Sequence, residues 1–308
     1  MSFEKHEKNG IMYFTSSLFD GFDIPHFFAA KRGGVSGGAF CSLNVSTSRR
    51  DEKGRTDTPF NVRQNLARGL ALVDADEKCA CMMRQIHSAN IEKAQVSCAD
   101  CFDGRGDFQP CDGVFAHKGM PYDTLAVKTA DCVPVLLYDT KNDVAMALHA
   151  GWRGTVGNIC GRAVEKMKEL FADAEIVAAI GPCIMDCCYE VNDVVYDAAM
   201  KNCQTVNKLS NDVDGVAAIN YESVNKLSND VEKCFPVRYI ADGERKYRVS
   251  LSALNRLFLE NAGVKSENID EARICTCCTT DEDGAVFFSH RASGGFSGTQ
   301  MSVVRLRK

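Results

Sequence analysis

Apolar residues recur at helical spacing in several stretches and run almost unbroken in others. In "FNVRQNLARGLALV", which starts at Phe60, Val62, Leu66, Leu70 and Val73 fall on one helical face. After "HAGWRG" the residues Val156, Ile159, Cys160, Ala163, Val164, Met167, Leu170 and Phe171 keep the same period and predict one amphipathic helix. "VSLSALNRLFLENAG" repeats the pattern with Gly263 as its stop, and "EVNDVVYDAAM" reads as a further helix. By contrast, "TLAVKTADCVPVLLYD", "DVAMALHAG" and "EIVAAIGPCI" are near-continuous apolar runs, as expected of strands buried on both faces. The turn signal "TKND" separates the first two and makes them neighbours.

The opening ~50 residues suggest strands and glycine-rich turns, and the two Gly-Gly pairs of "IPHFFAAKRGGVSGGAFCSLNVS" suit hairpin geometry. "KCACMMRQIHSANIEKAQV" predicts strand, turn and strand around His87, and "VSCADCFDGRGDFQPCDG" reads as a loop. "DGAVFFSHRASGG" and "GTQMSVVRLRK" predict two closing strands. The heptapeptide "VNKLSND" occurs at 206–212 and again at 224–230; two copies are too few for a solenoid, so it reads as a local duplication. No Pro- or Ser-rich linker divides the chain, and one domain over residues 1–308 is expected, mixed α/β with central strands covered by helices.

Composition narrows the function. The 308 residues are 45% hydrophobic and 25% charged, with a net charge of −5. No apolar run approaches the ~20 residues of a membrane span, and no block of Lys and Arg offers a surface to nucleic acid. "MSFEKHEKNGIMYF" lacks the basic and apolar regions of a secretory signal. The expectation is a cytoplasmic protein that handles small molecules, with neither nucleic acid nor membrane as partner. Sixteen cysteines are many, but in this setting they are expected to be mostly reduced and buried.

Three residues draw attention together: His87 in "QIHSAN", Cys132 in "TADCVPVLLYD" and His149 in "LHAGWRG". Cys132 and His149 sit on two strands joined by a short turn, and adjacent strands lie ~4.8 Å apart. Two His and one Cys match the ligand count of a catalytic zinc site with its fourth position open. Each also has a plain reading, as loop histidine, core thiol and satisfied buried histidine. "HAGWRGT" ends a strand in Gly-x-x-Gly and opens a helix. Its free N–H groups and Arg153 could cradle an anion, or Gly151 and Gly154 could simply form a tight turn. Cys79, Cys81, Cys98 and Cys101 are a weaker candidate for structural zinc, because the C-x-C pair is too tight for the usual spacing. "CTCC" at 275–278 and "CC" at 187–188 read as partly buried thiols.

The ordered set "GGVSGGAFCSLNVS", "QIHSAN", "CDGVFAH", "KTADCVPVLLYD", "HAGWRGT", "IGPCI", "CYEV", "ALNRLFLENAG" and "FFSHR…GTQ" resembles the laccase-domain family, once called multicopper polyphenol oxidoreductases. Members are regarded as zinc-dependent purine nucleoside phosphorylases with adenosine deaminase side activity. The likeness runs from about residue 26 to the C-terminus, and the pairing of "ADCVP" with "HAGWRG" is its most specific part. It implies an α/β fold in which mixed β-sheets are flanked by helices in a layered α/β sandwich. It places the metal ligands on His87, Cys132 and His149, with Zn2+ as cofactor and copper possible. It implies purine nucleoside and phosphate as ligands: adenosine, inosine, guanosine and methylthioadenosine would yield base and sugar 1-phosphate.

The chain departs from the bacterial pattern. Asn65-Leu66 replaces Asn-Arg, and Arg291-Ala292-Ser293…Gly298-Thr299-Gln300 replaces Arg-Arg-Asp…Thr-Gly-Arg; "STSRRDE" and "GTQ" look more like the animal branch. The phosphate-binding arginine is therefore open among Arg49, Arg50 and Arg153, with Arg291 behind them. The Gly154 turn is the expected place for phosphate. Trp152 either stacks on the purine or fills core. For deamination, zinc deaminases set a Glu beside a ligand His. Here His87-Ser88-Ala89 lacks it, which leaves Asp131 or Glu190 as proton carrier. A strand-end role for Asp131, accepting from backbone N–H groups, is equally compatible.

Two other enzyme classes compete. A copper-dependent, laccase-like polyphenol oxidase needs many imidazoles, and this chain has six histidines and no His-x-His. A cysteine hydrolase or amidase would use Cys132 as nucleophile and His149 as base. A non-enzymatic metal-binding protein is the remaining class. Monomer and homodimer are both compatible with the sequence.

Overall fold

The computed structural model describes residues 2–209, 230–235, 237–241 and 243–308. In chain order the strands are β1 (Phe3–Lys8), β2 (Ile11–Ser16), β3 (His26–Ala29), β4 (Ala80–Met82), β5 (Ile91–Lys93), β6 (Gly113–His117), β7 (Thr124–Thr129), β8 (Val133–Asp139), β9 (Val144–Ala150), β10 (Ile176–Ile180), β11 (Glu190–Asn192), β12 (Val237–Ala241), β13 (Glu244–Arg248), β14 (Ile269–Glu271), β15 (Thr280–Asp281), β16 (Gly284–Ala285) and β17 (Gln300–Arg305). The helices used below are α1 (Ser17–Asp20), α2 (Pro59–Leu70), α3 (Cys98–Phe102), α4 (Trp152–Val156), α5 (Ile159–Leu170), α6 (Asp193–Leu209) and α7 (Leu251–Asn261).

Two six-stranded mixed sheets stack face to face, in the orders β1-β2-β3-β17-β7-β4 and β14-β10-β8-β9-β6-β5. Side-chain alternation in β8 shows why its sequence is apolar throughout. Leu136 and Tyr138 turn inward with Ala145 and Ala147 of β9 and meet Phe14, Phe28, Leu125, Val127 and Val304 of the first sheet. Val133, Val135 and Leu137 turn outward against Val164 and Met167 of α5 and Leu254 and Phe258 of α7. On the far side of the first sheet, Leu66 and Leu70 of α2 cover Phe27, Ala126 and Met301. Each large apolar side chain so enclosed contributes about 1.5–3 kcal/mol. The four layers, helix, sheet, sheet and helix, are the layered sandwich that the resemblance implied.

Helix α2 begins one residue before the stretch read as helical, with Pro59 at the first position and the Thr58 hydroxyl accepting from the Asn61 N–H. Gly69 lets it lie close to β17, since a Cβ there would meet the Met301 side chain at 2.0 Å. Other expectations are corrected. The helix predicted through Val156 and Phe171 is two helices, α4 and α5, broken at Gly157–Asn158; Asn158 takes φ 59° and caps the Gly161 N–H. The apolar spacing carries across the break, so periodicity does not reveal it.

The Gly-Gly pairs make no hairpin: the β1–β2 turn is Asn9-Gly10, both at positive φ. Residues predicted as loop contain α3, the stretch predicted as helix opens with β11, and the first closing strand shrinks to β16. The "VNKLSND" duplication falls largely outside the described residues.

Twice the chain steps from the first sheet to the second at the same end of the sandwich. Strands β4 and β7 run parallel in the first sheet. From β4 the chain passes to β5, and from β7 to β8, both in the second sheet. No helix among the described residues is long and apolar enough to cross a membrane.

Candidate active site

His87 lies on the first of these crossings and Cys132 on the second, while His149 is in β9, opposite Pro134. Their candidate ligand atoms all lie within 4.8 Å of one another. The rings of His87 and His149 meet edge-on, with centroids 4.8 Å apart and planes at 86°. Gly151 faces the group: a Cβ there would sit 3.1 Å from His87 Cδ2 and 3.2 Å from Cys132 Sγ.

Asp112, fully buried, organises two of the three. Its Oδ1 accepts from His149 Nδ1 at 2.8 Å and from the His87 N–H at 3.0 Å. Its Oδ2 accepts from the N–H groups of Ile86 (3.2 Å) and Ser88 (2.6 Å) and from the Ser88 hydroxyl (2.8 Å). Three successive N–H groups thus converge on one carboxylate and hold His87 at φ 59°, in the left-handed region that few non-glycine residues adopt. Because Asp112 occupies Nδ1 of His149, Nε2 remains for the shared centre.

The electrostatics follow from this packing. Burial would raise the Asp112 carboxyl, but hydrogen bonds from His149 and Ser88 outweigh it and hold it at about 2. Burial likewise opposes ionisation of Cys132, yet His149 and His87 draw its thiol down to about 6. Burial lowers His149, but the Cys132 thiolate and Asp112 raise it to about 9. Two imidazoles and a thiolate on one open face fit Zn2+ or copper by donor type. Gly151 supplies the room, and Asp112 is the carboxylate that commonly orients a metal-bound imidazole.

The trio opens onto a cavity of about 550 Å³ that Arg49, Asp131, Trp152 and Arg153 also line. The cavity carries Arg49, Arg84, Lys128, Arg153 and Arg291 against the single carboxylate of Asp131. The chain as a whole is acidic, so this concentration of cations is local. Arg49 Nη2 bonds His290 Nδ1 at 2.9 Å, and the Arg153 guanidinium lies 4.3 Å over the Trp152 ring. Tyr189, which burial raises to about 12, faces Arg291 at 5.3 Å.

Some candidates stand elsewhere or are already engaged. Arg50 turns to the Gly54 carbonyl at 2.7 Å and does not line the cavity. Gly154 is buried, and a Cβ on it would meet the Ser88 carbonyl at 2.7 Å, so it sets the approach of α4 to the His87 turn. Helix α4 has only five residues, too short for a strong dipole, and the positive charge near it comes from side chains. Glu190 accepts from the Tyr239 hydroxyl and faces a neighbouring groove. Asp131 has both oxygens engaged, by the Thr276 hydroxyl and the Arg291 N–H at 2.7 Å each. Cys79, Cys81, Cys98 and Cys101 form no metal-competent group among the described residues.

Sequence reasoning missed Asp112, Arg84, Lys128, Tyr189 and His290. Asp112 had a signal in "CDGVFAH", but its partners lie 25 and 37 residues away.

The family described as multi-copper polyphenol oxidoreductase laccase matches residues 25–228 and 215–307. A protein of Geobacillus stearothermophilus named purine nucleoside phosphorylase YlmD is 32% identical over 90% of this chain and 88% of its own length. A protein of an unknown prokaryotic organism named adenosine deaminase RL5 is also 32% identical, over 88% of this chain and 90% of its own. The crystal structure of the Bacillus licheniformis hypothetical protein YfiH superimposes with a TM-score of 0.76 at 26% identity and covers 99% of both chains.

Proposed function

Because the chain belongs to the multi-copper polyphenol oxidoreductase laccase family, we propose that it catalyses the phosphorolysis of purine nucleosides to free base and sugar 1-phosphate. Deamination of adenosine is a second reaction of the same site. The observation that carries this reading is the cationic cavity beside His87, Cys132 and His149. Relatives named for both activities support it.

As the base departs, positive charge develops on the ribose, and phosphate must be held beneath the anomeric carbon. Arg49 and Arg153 take that role, with Ser46 and Ser48 on the same wall. Trp152 and Tyr189 offer aromatic faces to the purine. His87, Cys132 and His149 would hold zinc, with copper as the alternative. When bound, it supplies Lewis-acid polarisation and activates water. Asp112 fixes the His149 tautomer, and Asp131 positions the Cys132 turn through Thr276 and Arg291. Tyr189 stays a phenol at neutral pH and can donate a hydrogen bond at the cavity wall. The protein is proposed to act in the cytoplasm, as one domain and as a monomer or homodimer.

The test is product analysis with adenosine, with and without phosphate. Adenine and ribose 1-phosphate that form only with phosphate support the reading; failure to release base under any phosphate concentration rejects it. One observation favours a second reading. Cys132, His149 and Asp112 also have the order of a thiolate, its imidazole and an orienting carboxylate. Activity that survives a strong chelator but not alkylation would identify that cysteine hydrolase.

A further inference from the structure

Two cysteine pairs far apart in sequence bring four thiols together. The sulfurs of Cys187, Cys188, Cys275 and Cys278 all lie within 4.8 Å of one another. Cys187 Sγ is 3.7 Å from Cys188 Sγ and 3.8 Å from Cys278 Sγ. A disulfide needs about 2.05 Å, so these are not bonded pairs. Four thiolates at about 2.3 Å from one zinc ion stand about 3.8 Å apart at the corners of a tetrahedron. The Cys187–Cys188 and Cys187–Cys278 sulfur distances have that length.

The backbone is arranged to match. Cys275 and Cys278 form a C-x-x-C turn, closed by the Thr279 N–H on the Cys275 carbonyl at 3.1 Å. The Met185 N–H donates to Cys275 Sγ at 3.5 Å, as suits a sulfur that carries negative charge. Arg248 and Arg291 bond the carbonyls of Cys187 and Cys188 at 3.2 Å each. Two cations therefore flank a set of thiolates whose charge exceeds that of one divalent ion.

We propose that Cys187, Cys188, Cys275 and Cys278 bind a second, structural zinc ion, separate from the centre of His87, Cys132 and His149. The compact spacing suits a single ion, because an iron–sulfide cluster would hold its thiolates further apart. The ion would tie the 183–190 segment to the 275–278 turn. Tyr189, next to Cys188, lines the cavity. Thr276, between two of the thiols, holds Asp131 beside Cys132. The second ion therefore fixes one wall of the first site without touching substrate.

The experiment measures metal per chain in the full-length protein, purified under reducing conditions from cells supplied with zinc. A His87→Ala/Cys132→Ala variant is expected to retain about one zinc per chain. Cobalt put in its place should show the intense sulfur-to-metal absorption of a tetrathiolate. Adding Cys278→Ser should remove both. In an otherwise native chain, Cys278→Ser should raise KM for nucleoside severalfold and leave the first ion bound. Only trace metal in the His87→Ala/Cys132→Ala variant overturns the proposal, as does a cobalt spectrum unchanged by Cys278→Ser. If neither variant accumulates, the native chain decides: about two ions support the second site and about one rejects it. Loss of the first centre alone would count against the proposed catalysis and leave this site standing.

Discussion

Replacing Asp112 by Asn tests whether the candidate centre is held from behind. The change keeps the shape of the side chain and removes its charge. Both oxygens of Asp112 accept only, from two donors on Oδ1 and three on Oδ2. An amide must place its NH2 against one of these groups. If it faces His149, the imidazole must accept at Nδ1 and carry its proton on Nε2, which removes the lone pair meant for the ion. If it faces Ser88, the turn that holds His87 opens.

The folded carboxyl lies at about 2, against an ordinary 3.8, and that difference is worth about 2–3 kcal/mol. Because the folded value is the lower one, this stability is present above pH ~4 and is lost as pH falls through about 2. Removing a carboxylate behind a metal-ligating histidine commonly costs 10–100-fold in metal affinity. Competition with a chromophoric chelator measures the second effect, and denaturant unfolding of the metal-free chain at pH 7 and at pH 3 measures the first. An Asp112→Asn variant that binds zinc within about twofold of the native chain would refute the assigned support.

The other predictions concern the same cavity. In metal-free protein Cys132 should react with iodoacetamide half-maximally near pH 6, and zinc should protect it; peptide mass spectrometry reads both, and a midpoint near 9 would contradict the thiolate assignment. His149, raised to about 9, stabilises the metal-free fold fully below pH ~6.5 and loses that contribution as pH rises through about 9. His149→Gln should flatten this alkaline limb in denaturant titrations. Gly151→Ala should leave the melting temperature nearly unchanged and weaken metal binding, since the added carbon lies 3.1–3.2 Å from two ligand side chains; unaltered affinity would show that the trio has slack. Arg49→Ala should raise KM for phosphate at least about tenfold and change KM for nucleoside little, in initial-rate kinetics that vary each substrate.

Much of the frame was legible because its signals are local. The period of Val62, Leu66 and Leu70 and the unbroken apolar runs of β8 and β9 each need only neighbouring residues. The α4–α5 break was not legible, because Asn158 interrupts the backbone without interrupting the apolar stripe. The convergence of His87, Cys132 and His149 came from motif likeness, since their spacing alone is a weak signal. Asp112 stayed hidden because its carboxylate is read by N–H groups on another segment. The two cysteine pairs looked unrelated for the same reason: nothing in a C-x-x-C turn announces a partner 91 residues away.

Only Ala130, Asp131 and Cys132 separate the end of β7 from the start of β8. That bridge is too short to absorb slippage between the stacked sheets. Its middle residue is already bent to φ 90°. An ion seated on His87, Cys132 and His149 would therefore tie both crossings to β9 and act as a rivet through the laminate, and its loss should let the layers shear at this end first. Fit of the interior and grip on the metal become one quantity: a loosened sandwich is a blunted catalyst before it is an unfolded one.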